Sequence, residues 1–266
     1  MGPLAVSTLG RGRPVLLLHG LGASHRYWGA SYDVLSYGGR VVTPDLLGFG
    51  SSPRPATGYT ADAHVDALEA TLDWLGIVEP VLIGAHSVGS LVALAFAARH
   101  PERVSGIVAA GPPFYPDPAT ARRSIGNSGW LQRKLAEGRP AAQRVCHFMC
   151  RHQRLVGPAA RLTSHRMPLG VLADGMQHSW ASYSETFASF IAAAPSDAWL
   201  SQIRAPVRLL AGRNDPVLAQ RHLEALARAH DHVSLLPVAG ADHDLPLTRP
   251  ELVLRELCAA RQEVVY

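Results

Sequence analysis

The stretch Val81–His100, VLIGAHSVGSLVALAFAARH, decides how the rest of the chain is read. It opens as a short apolar run, Val81-Leu82-Ile83, which suits a strand buried on both faces. It turns at Gly84-Ala85-His86-Ser87-Val88-Gly89. It then runs through Leu91, Leu94, Ala95 and Ala98 at helical spacing until Pro101 stops it. Strand, tight turn and helix are predicted, with Ser87 at the apex. Ala85 and Gly89 are the small residues of a small-x-Ser-x-small pattern, which lets strand and helix backbones close up and holds the hydroxyl above a helix N-terminus. The free N–H groups and positive dipole end there suit a developing oxyanion. An incidental serine in a strand-to-helix loop would carry the same five residues, so the context decides.

A chain of 266 residues fits a single large open α/β sheet, and 47% apolar with 17% charged residues fits a globular protein with a sizeable core. The net charge of +4 is small, and the 25 basic residues are scattered, so no nucleic-acid footprint is expected. Three cysteines, Cys146, Cys150 and Cys258, argue against a disulfide framework and point to a reducing, cytoplasmic setting. The N-terminal MGPLAVSTLGRG lacks the build of a signal peptide, and no apolar run approaches ~20 residues, so no membrane association is expected. The oligomeric state is left open.

Outward from the serine, buried strands alternate with helices. Leu4–Leu9 suits a short edge strand. Val15–Leu18 is a buried strand running into His19-Gly20-Leu21-Gly22, and Val41–Pro44 is the next, followed by Asp45-Leu46-Leu47-Gly48-Phe49-Gly50-Ser51. Thr60 caps a helix ending at Gly76, with Val65, Leu68, Leu72 and Leu75 as its stripe. His64 and Asp66 on it read as surface or cap residues, and Asp45 as a turn or loop-bracing acid. Val104–Ala110, Pro206–Leu210 and Val233–Val238 are further strands, and Gln220–His230 and Pro250–Arg261 are helices. The alternation predicts an α/β fold, a mostly parallel central sheet with helices on both faces. It breaks between residues 114 and 200, which read as a helical cap inserted into a core of residues 1–113 and 201–266. Its aromatics suit either an apolar pocket or the insert's own core; Tyr115, Trp130, Trp180 and Tyr183, with His86 beside the serine, are the candidate substrate-binding residues.

Three polar residues share one address, the C-terminal ends of core strands, in the order Ser87, Asp215, His243. A serine hydroxyl needs a base, which His243 can supply, and the imidazole needs a carboxylate on its far nitrogen, for which Asp215 is placed. Asp242 and Asp244 flank His243 and read as exposed or loop-bracing. Val88 and Leu21 are the candidate N–H donors to an oxyanion.

With these pieces in place, the chain resembles the α/β-hydrolase superfamily over nearly its whole length. The resemblance rests on His19-Gly20-Leu21-Gly22, DLLGFGS from Asp45, the Ala85–Gly89 turn, Gly212-Arg213-Asn214-Asp215 and Gly240–His243. It implies Ser87 as nucleophile, His243 as base, Asp215 as orienting acid and a helical cap. The expected activity is serine hydrolysis of an ester, thioester or related acyl bond of a small apolar molecule, without a cofactor. Carbon–carbon bond hydrolysis, acyl transfer, lyase or cyclase chemistry, and receptor-like binding with little turnover stay open on the same scaffold.

Cys146 and Cys150, four apart in CHFMCRH, share a helix face. Structural zinc sites usually show tighter Cys-x₂-Cys spacing and a second pair, and Cys258 is the only other cysteine. The segment therefore reads as a packed helix, and no metal site is expected.

Overall fold

The computed structural model describes residues 2–127, 140–152 and 168–263. Seven strands form one sheet: β1 (Val6–Leu9), β2 (Pro14–Leu18), β3 (Arg40–Pro44), β4 (Val81–His86), β5 (Val104–Ala110), β6 (Val207–Gly212) and β7 (Val233–Val238), in the order β1-β3-β2-β4-β5-β6-β7. β1 alone is antiparallel, pairing with β3 at the sheet edge. The other pairings are parallel. β2 and β4, buried at every position, are the continuous apolar runs that a doubly covered parallel sheet needs.

Helices α1 (Ala61–Trp74) and α2 (Val88–Arg99) precede α3 (Pro118–Asn127), α4 (Pro140–Arg151), α5 (Leu169–Asp174), α6 (Trp180–Thr186) and α7 (Ser196–Leu200); α8 (Gln220–Ala229), α9 (Leu245–Thr248) and α10 (Pro250–Glu263) close the chain. One core cluster packs α1, α2 and α8 on one sheet face, and a second packs α9 and α10 on the other. Thr60 caps α1 as expected, its hydroxyl accepting from the Ala63 N–H at 3.1 Å. α2 is buried from Val88 to Ala97, which explains why it is apolar all round instead of striped.

Residues 114–200 lie between β5 and β6, and no named strand falls there among the described residues. Their helices are tied to the sheet side at several points. Asp174, 4% exposed, accepts from Ser24 Oγ and Arg26 Nε, each at 2.6 Å. Glu185 accepts from the Gly58 and Tyr59 N–H groups. An isolated bridge joins His178 to Phe49. None of these pairings is local, so none shows in the spacing of residues. Among the described residues, no helix is long and apolar enough to cross a membrane.

Candidate active site

Three strand ends meet at one edge of the sheet. β4 ends at His86 and α2 begins at Val88, leaving Ser87 as the junction. Its φ of 51° makes it the only non-glycine in the left-handed region among the described residues. A side chain held there costs of order 1–3 kcal/mol and persists only where the surroundings enforce it. Two features enforce it here. The Ser87 N–H donates to the Ala110 carbonyl at 3.0 Å, pinning the turn to β5. Gly89 brings α2 against β2 so closely that a Cβ would lie 2.6 Å from the Leu18 and His19 carbonyls.

His243 Nε2 lies 3.0 Å from Ser87 Oγ, and Nδ1 lies 2.8 Å from Asp215 Oδ2. A carboxylate only accepts, so Nδ1 carries the proton, and in the neutral ring Nε2 accepts from the serine hydroxyl. The other Asp215 oxygen accepts from the Val217 N–H at 2.8 Å, which fixes the carboxylate plane. The Asp215 side chain is fully buried, whereas that of His243 is 26% exposed. Burial opposes the imidazolium, but the hydrogen bond and charge of Asp215, with smaller help from Asp244 and Asp242, outweigh it. The His243 pKa therefore stands above its ordinary value.

The loop after β2 faces the same point. A Cβ on Gly20 would lie 3.0 Å from His86 Nδ1 and 3.1 Å from the Ser87 Cβ, tighter than ordinary contact, so glycine favours this approach. His19, fully buried, has both ring nitrogens occupied: Nδ1 donates to the Gly20 carbonyl at 2.8 Å, and Nε2 accepts from the Leu46 N–H at 2.9 Å. In a trans peptide the C=O and N–H point opposite ways. Drawing the Gly20 carbonyl onto His19 turns the Leu21 N–H the other way. Val88, the first residue of α2, has an N–H of the kind that lacks an intrahelical partner.

The other expected site residues divide. His86 is 4% exposed, stacks on Tyr27 at 4.6 Å and donates from Nε2 to the His243 carbonyl at 3.0 Å. It braces the His243 loop, and burial holds its pKa well below the usual value. Tyr115 donates to the Val217 carbonyl at 2.6 Å and lines a cavity of about 240 Å³ with Leu91 and Phe190. Trp180 and Tyr183 stack at 6.5 Å within the insertion. Trp130 lies outside the described residues. A larger cavity of about 550 Å³, lined by Leu17, Arg26, Trp28 and Val171 among others, does not include Ser87 or His243 in its lining.

Two acids act as expected and one histidine does not. Asp45, 1% exposed, braces its loop by accepting from the His25 N–H at 2.7 Å and the Ser51 N–H at 2.8 Å. Asp244 accepts from Tyr27 Oη at 3.3 Å. His64, expected at the surface, is 1% exposed, with Nε2 3.1 Å from Thr186 Oγ1 and its ring edge-on to Phe190. The insertion covers it, and the partner stands 122 positions away, out of reach of a local reading.

Burial holds the His19 pKa at about 4 and that of His64 at about 3. Both folded values lie below the unfolded ~6.5, so the unfolded chain takes up protons that the native state refuses. Their stability contribution is complete above pH ~6.5 and is lost as pH falls towards the folded values. Each group costs up to about 1.4 kcal/mol per pH unit within that window, so the pair costs about 3 kcal/mol between pH 6.5 and 5. His86, also held well below its usual value, adds to the loss, so stability from urea unfolding should fall by at least this much between the two pH values, and His64→Gln should remove about a third of the fall. An unchanged drop in the variant would assign the acid sensitivity to other groups.

The family profile described as alpha/beta hydrolase fold matches residues 13–250. The chain belongs to the α/β-hydrolase fold family. It is 42% identical to a 2-hydroxymuconate semialdehyde hydrolase from Pseudomonas sp. (strain CF600) over 107 residues, 38% of this chain and 37% of that protein. It is 26% identical to the probable lysophospholipase BODYGUARD 4 of Arabidopsis thaliana over 251 residues, 86% of this chain and 59% of that one. These matches span about a third to three fifths of the curated relatives' own length. A solved esterase from Thermogutta terrifontis superposes with a TM-score of 0.68 at 26% identity, covering 98% of this chain and 93% of that one.

Proposed function

We propose that this chain is a serine hydrolase that cleaves an ester, thioester or related acyl bond of a small, largely apolar substrate through an acyl-enzyme. The observation that carries the reading is the unbroken hydrogen-bonded series from Ser87 through His243 to Asp215. Ser87 Oγ attacks the carbonyl carbon while its proton passes to His243 Nε2. The imidazolium is stabilised by Asp215, and the oxyanion by the Leu21 and Val88 N–H groups. Collapse expels the alcohol or thiol, which takes the proton from His243. Water, deprotonated by the same nitrogen, then releases the acid. This sequence requires no cofactor. Residues 114–200 serve as a cap over the site, with Tyr115, Trp130, Trp180 and Tyr183 as the aromatics proposed to set specificity.

A fluorophosphonate should label the chain once, on Ser87, and a short-chain aryl ester should be turned over. Labelling at another residue would overturn the assignment. Leu21→Pro should lower turnover about 10²–10³-fold relative to Leu21→Ala, because only proline removes the N–H. Equal rates in the two variants, with binding unchanged, would place the second donor elsewhere.

A second reading is favoured by the 42% identity over 107 residues to the 2-hydroxymuconate semialdehyde hydrolase. The same serine machinery would then hydrolyse a carbon–carbon bond beside a carbonyl. Comparing an aryl ester with a 1,3-diketone separates the two: faster cleavage of the diketone would favour this reading.

A further inference from the structure

The helical insertion brings together three soft and borderline donors that hydrolysis does not use. Cys146 and Cys150 share one face of α4, one turn apart. His178, in the segment before α6, points Nε2 at both sulfurs. The three edges are 3.9 Å between the sulfurs, 3.5 Å from Cys146 Sγ to His178 Nε2 and 3.7 Å from Cys150 Sγ to the same nitrogen. A tetrahedral zinc ion with Zn–S of about 2.3 Å and Zn–N of about 2.0–2.1 Å requires edges of about 3.8 Å between sulfurs and about 3.5 Å from sulfur to nitrogen. All three observed edges lie within about 0.2 Å of those values. A thiol–thiol–imidazole hydrogen-bond series needs only two contacts; the closed triangle is what an ion at its centre would require. A disulfide would instead need the 3.9 Å gap to close to about 2.05 Å along one helical turn.

We propose that Cys146, Cys150 and His178 form a Cys₂His site for a thiophilic divalent metal, zinc by its chemistry. Binding at neutral pH releases the two thiol protons, leaving two thiolates, a neutral imidazole and a fourth position for water. The surroundings suit a structural role. Cys146 is 3% exposed, and the His178 ring lies between Phe49 at 6.1 Å and Tyr183 at 5.4 Å. The backbone of His178 is bridged to Phe49, in the loop after β3, and the Phe49 ring packs edge-on against His19. An ion here would clip α4 to the insertion's inner segment and, through Phe49, to the histidine that shapes the loop beside Ser87. His178 Nδ1 is buried and has no hydrogen-bond partner among the described residues. Metal-bound histidines braced at the second nitrogen gain about 10–100-fold in affinity, so this site should bind more weakly than a fully braced one. This revises the expectation from spacing: the third donor comes from 28 positions beyond Cys150, where no sequence pattern marks it.

The test is Co²⁺ titration of the reduced, chelator-stripped full chain, followed by Zn²⁺ displacement. One equivalent should bind with a near-ultraviolet thiolate-to-cobalt band and the visible bands of a tetrahedral ion, and Zn²⁺ should abolish both. Cys150→Ser and His178→Gln, at half-buried positions, should each weaken uptake at least 100-fold, and Cys258→Ser should leave it unchanged. Zn²⁺ should raise the Tm of the wild type but not of Cys150→Ser. Circular dichroism confirms that each variant is folded. No saturable uptake, uptake without the thiolate band, or equal uptake by Cys150→Ser would overturn the site.

Discussion

Ser87→Ala is expected to lower kcat by about 10⁶-fold, the scale seen when a serine hydrolase loses its nucleophile. The size follows from the cooperation of the three groups. In the proposed mechanism, without the hydroxyl the proton acceptance of His243 and the stabilisation by Asp215 have nothing to act on, so their contributions vanish with it. The fold should be unaffected, because the contact to Ala110 uses the backbone N–H and, among the described residues, the hydroxyl is hydrogen-bonded to His243 alone. Ser87→Gly makes a sharper control. Glycine adopts a φ of 51° freely, so this variant should be more stable than the wild type by about 1 kcal/mol while equally inactive. Stability that rises as turnover is lost would identify the strain as maintained for chemistry. Native-like rates in either variant, on an aryl ester and with contaminating activity excluded by phosphonate titration, would remove Ser87 from the mechanism.

The strands and the order Ser87, Asp215, His243 were legible because they depend on local patterns. A strand covered on both faces must be apolar throughout, so Val15–Leu18 and Val81–Ile83 announce themselves. In a parallel sheet each strand delivers its C-terminal residue to the same edge, so topology alone gathers residues 128 and 28 positions apart. What stayed hidden depends on how the described residues of the insertion dock. His64 looked like a surface residue because its partner Thr186 and its cover Phe190 belong to the insertion. Asp174 gave no sign of reaching Ser24 and Arg26. The Cys146–Cys150 pair looked like plain packing because His178 joins it only in three dimensions. His86 stands beside the serine in sequence, and its stack on Tyr27 and bond to the His243 carbonyl join segments far apart in the chain. Helix docking between segments without a strong period is set by side-chain packing, which residue spacing does not encode.

Asp215→Asn is expected to lower kcat by about 10⁴-fold, as the equivalent change does in the serine-protease case, through the wrong tautomer of His243. The local hydrogen bonds make that outcome specific. One Asp215 oxygen accepts from the Val217 N–H and the other from His243 Nδ1–H. Asparagine keeps one acceptor and gains a donor. If its oxygen stays with the Val217 N–H, its NH₂ faces Nδ1, which must then accept. The ring proton moves to Nε2, and the nitrogen that should take the Ser87 proton is already protonated. The pH profile should change as well. On the proposed mechanism, wild-type turnover should rise with pH through a value above the ordinary histidine range, because a His243 base would have to be neutral and Asp215 raises its pKa. Removing the carboxylate charge leaves burial to dominate, so the acid limb of Asp215→Asn should move to lower pH while the plateau stays low. Asp242→Asn and Asp244→Asn contribute less to that pKa and should shift the limb slightly with small changes in rate. A near-native rate for Asp215→Asn beside a large loss for Asp244→Asn would transfer the orienting role to Asp244, the acid that here accepts from Tyr27.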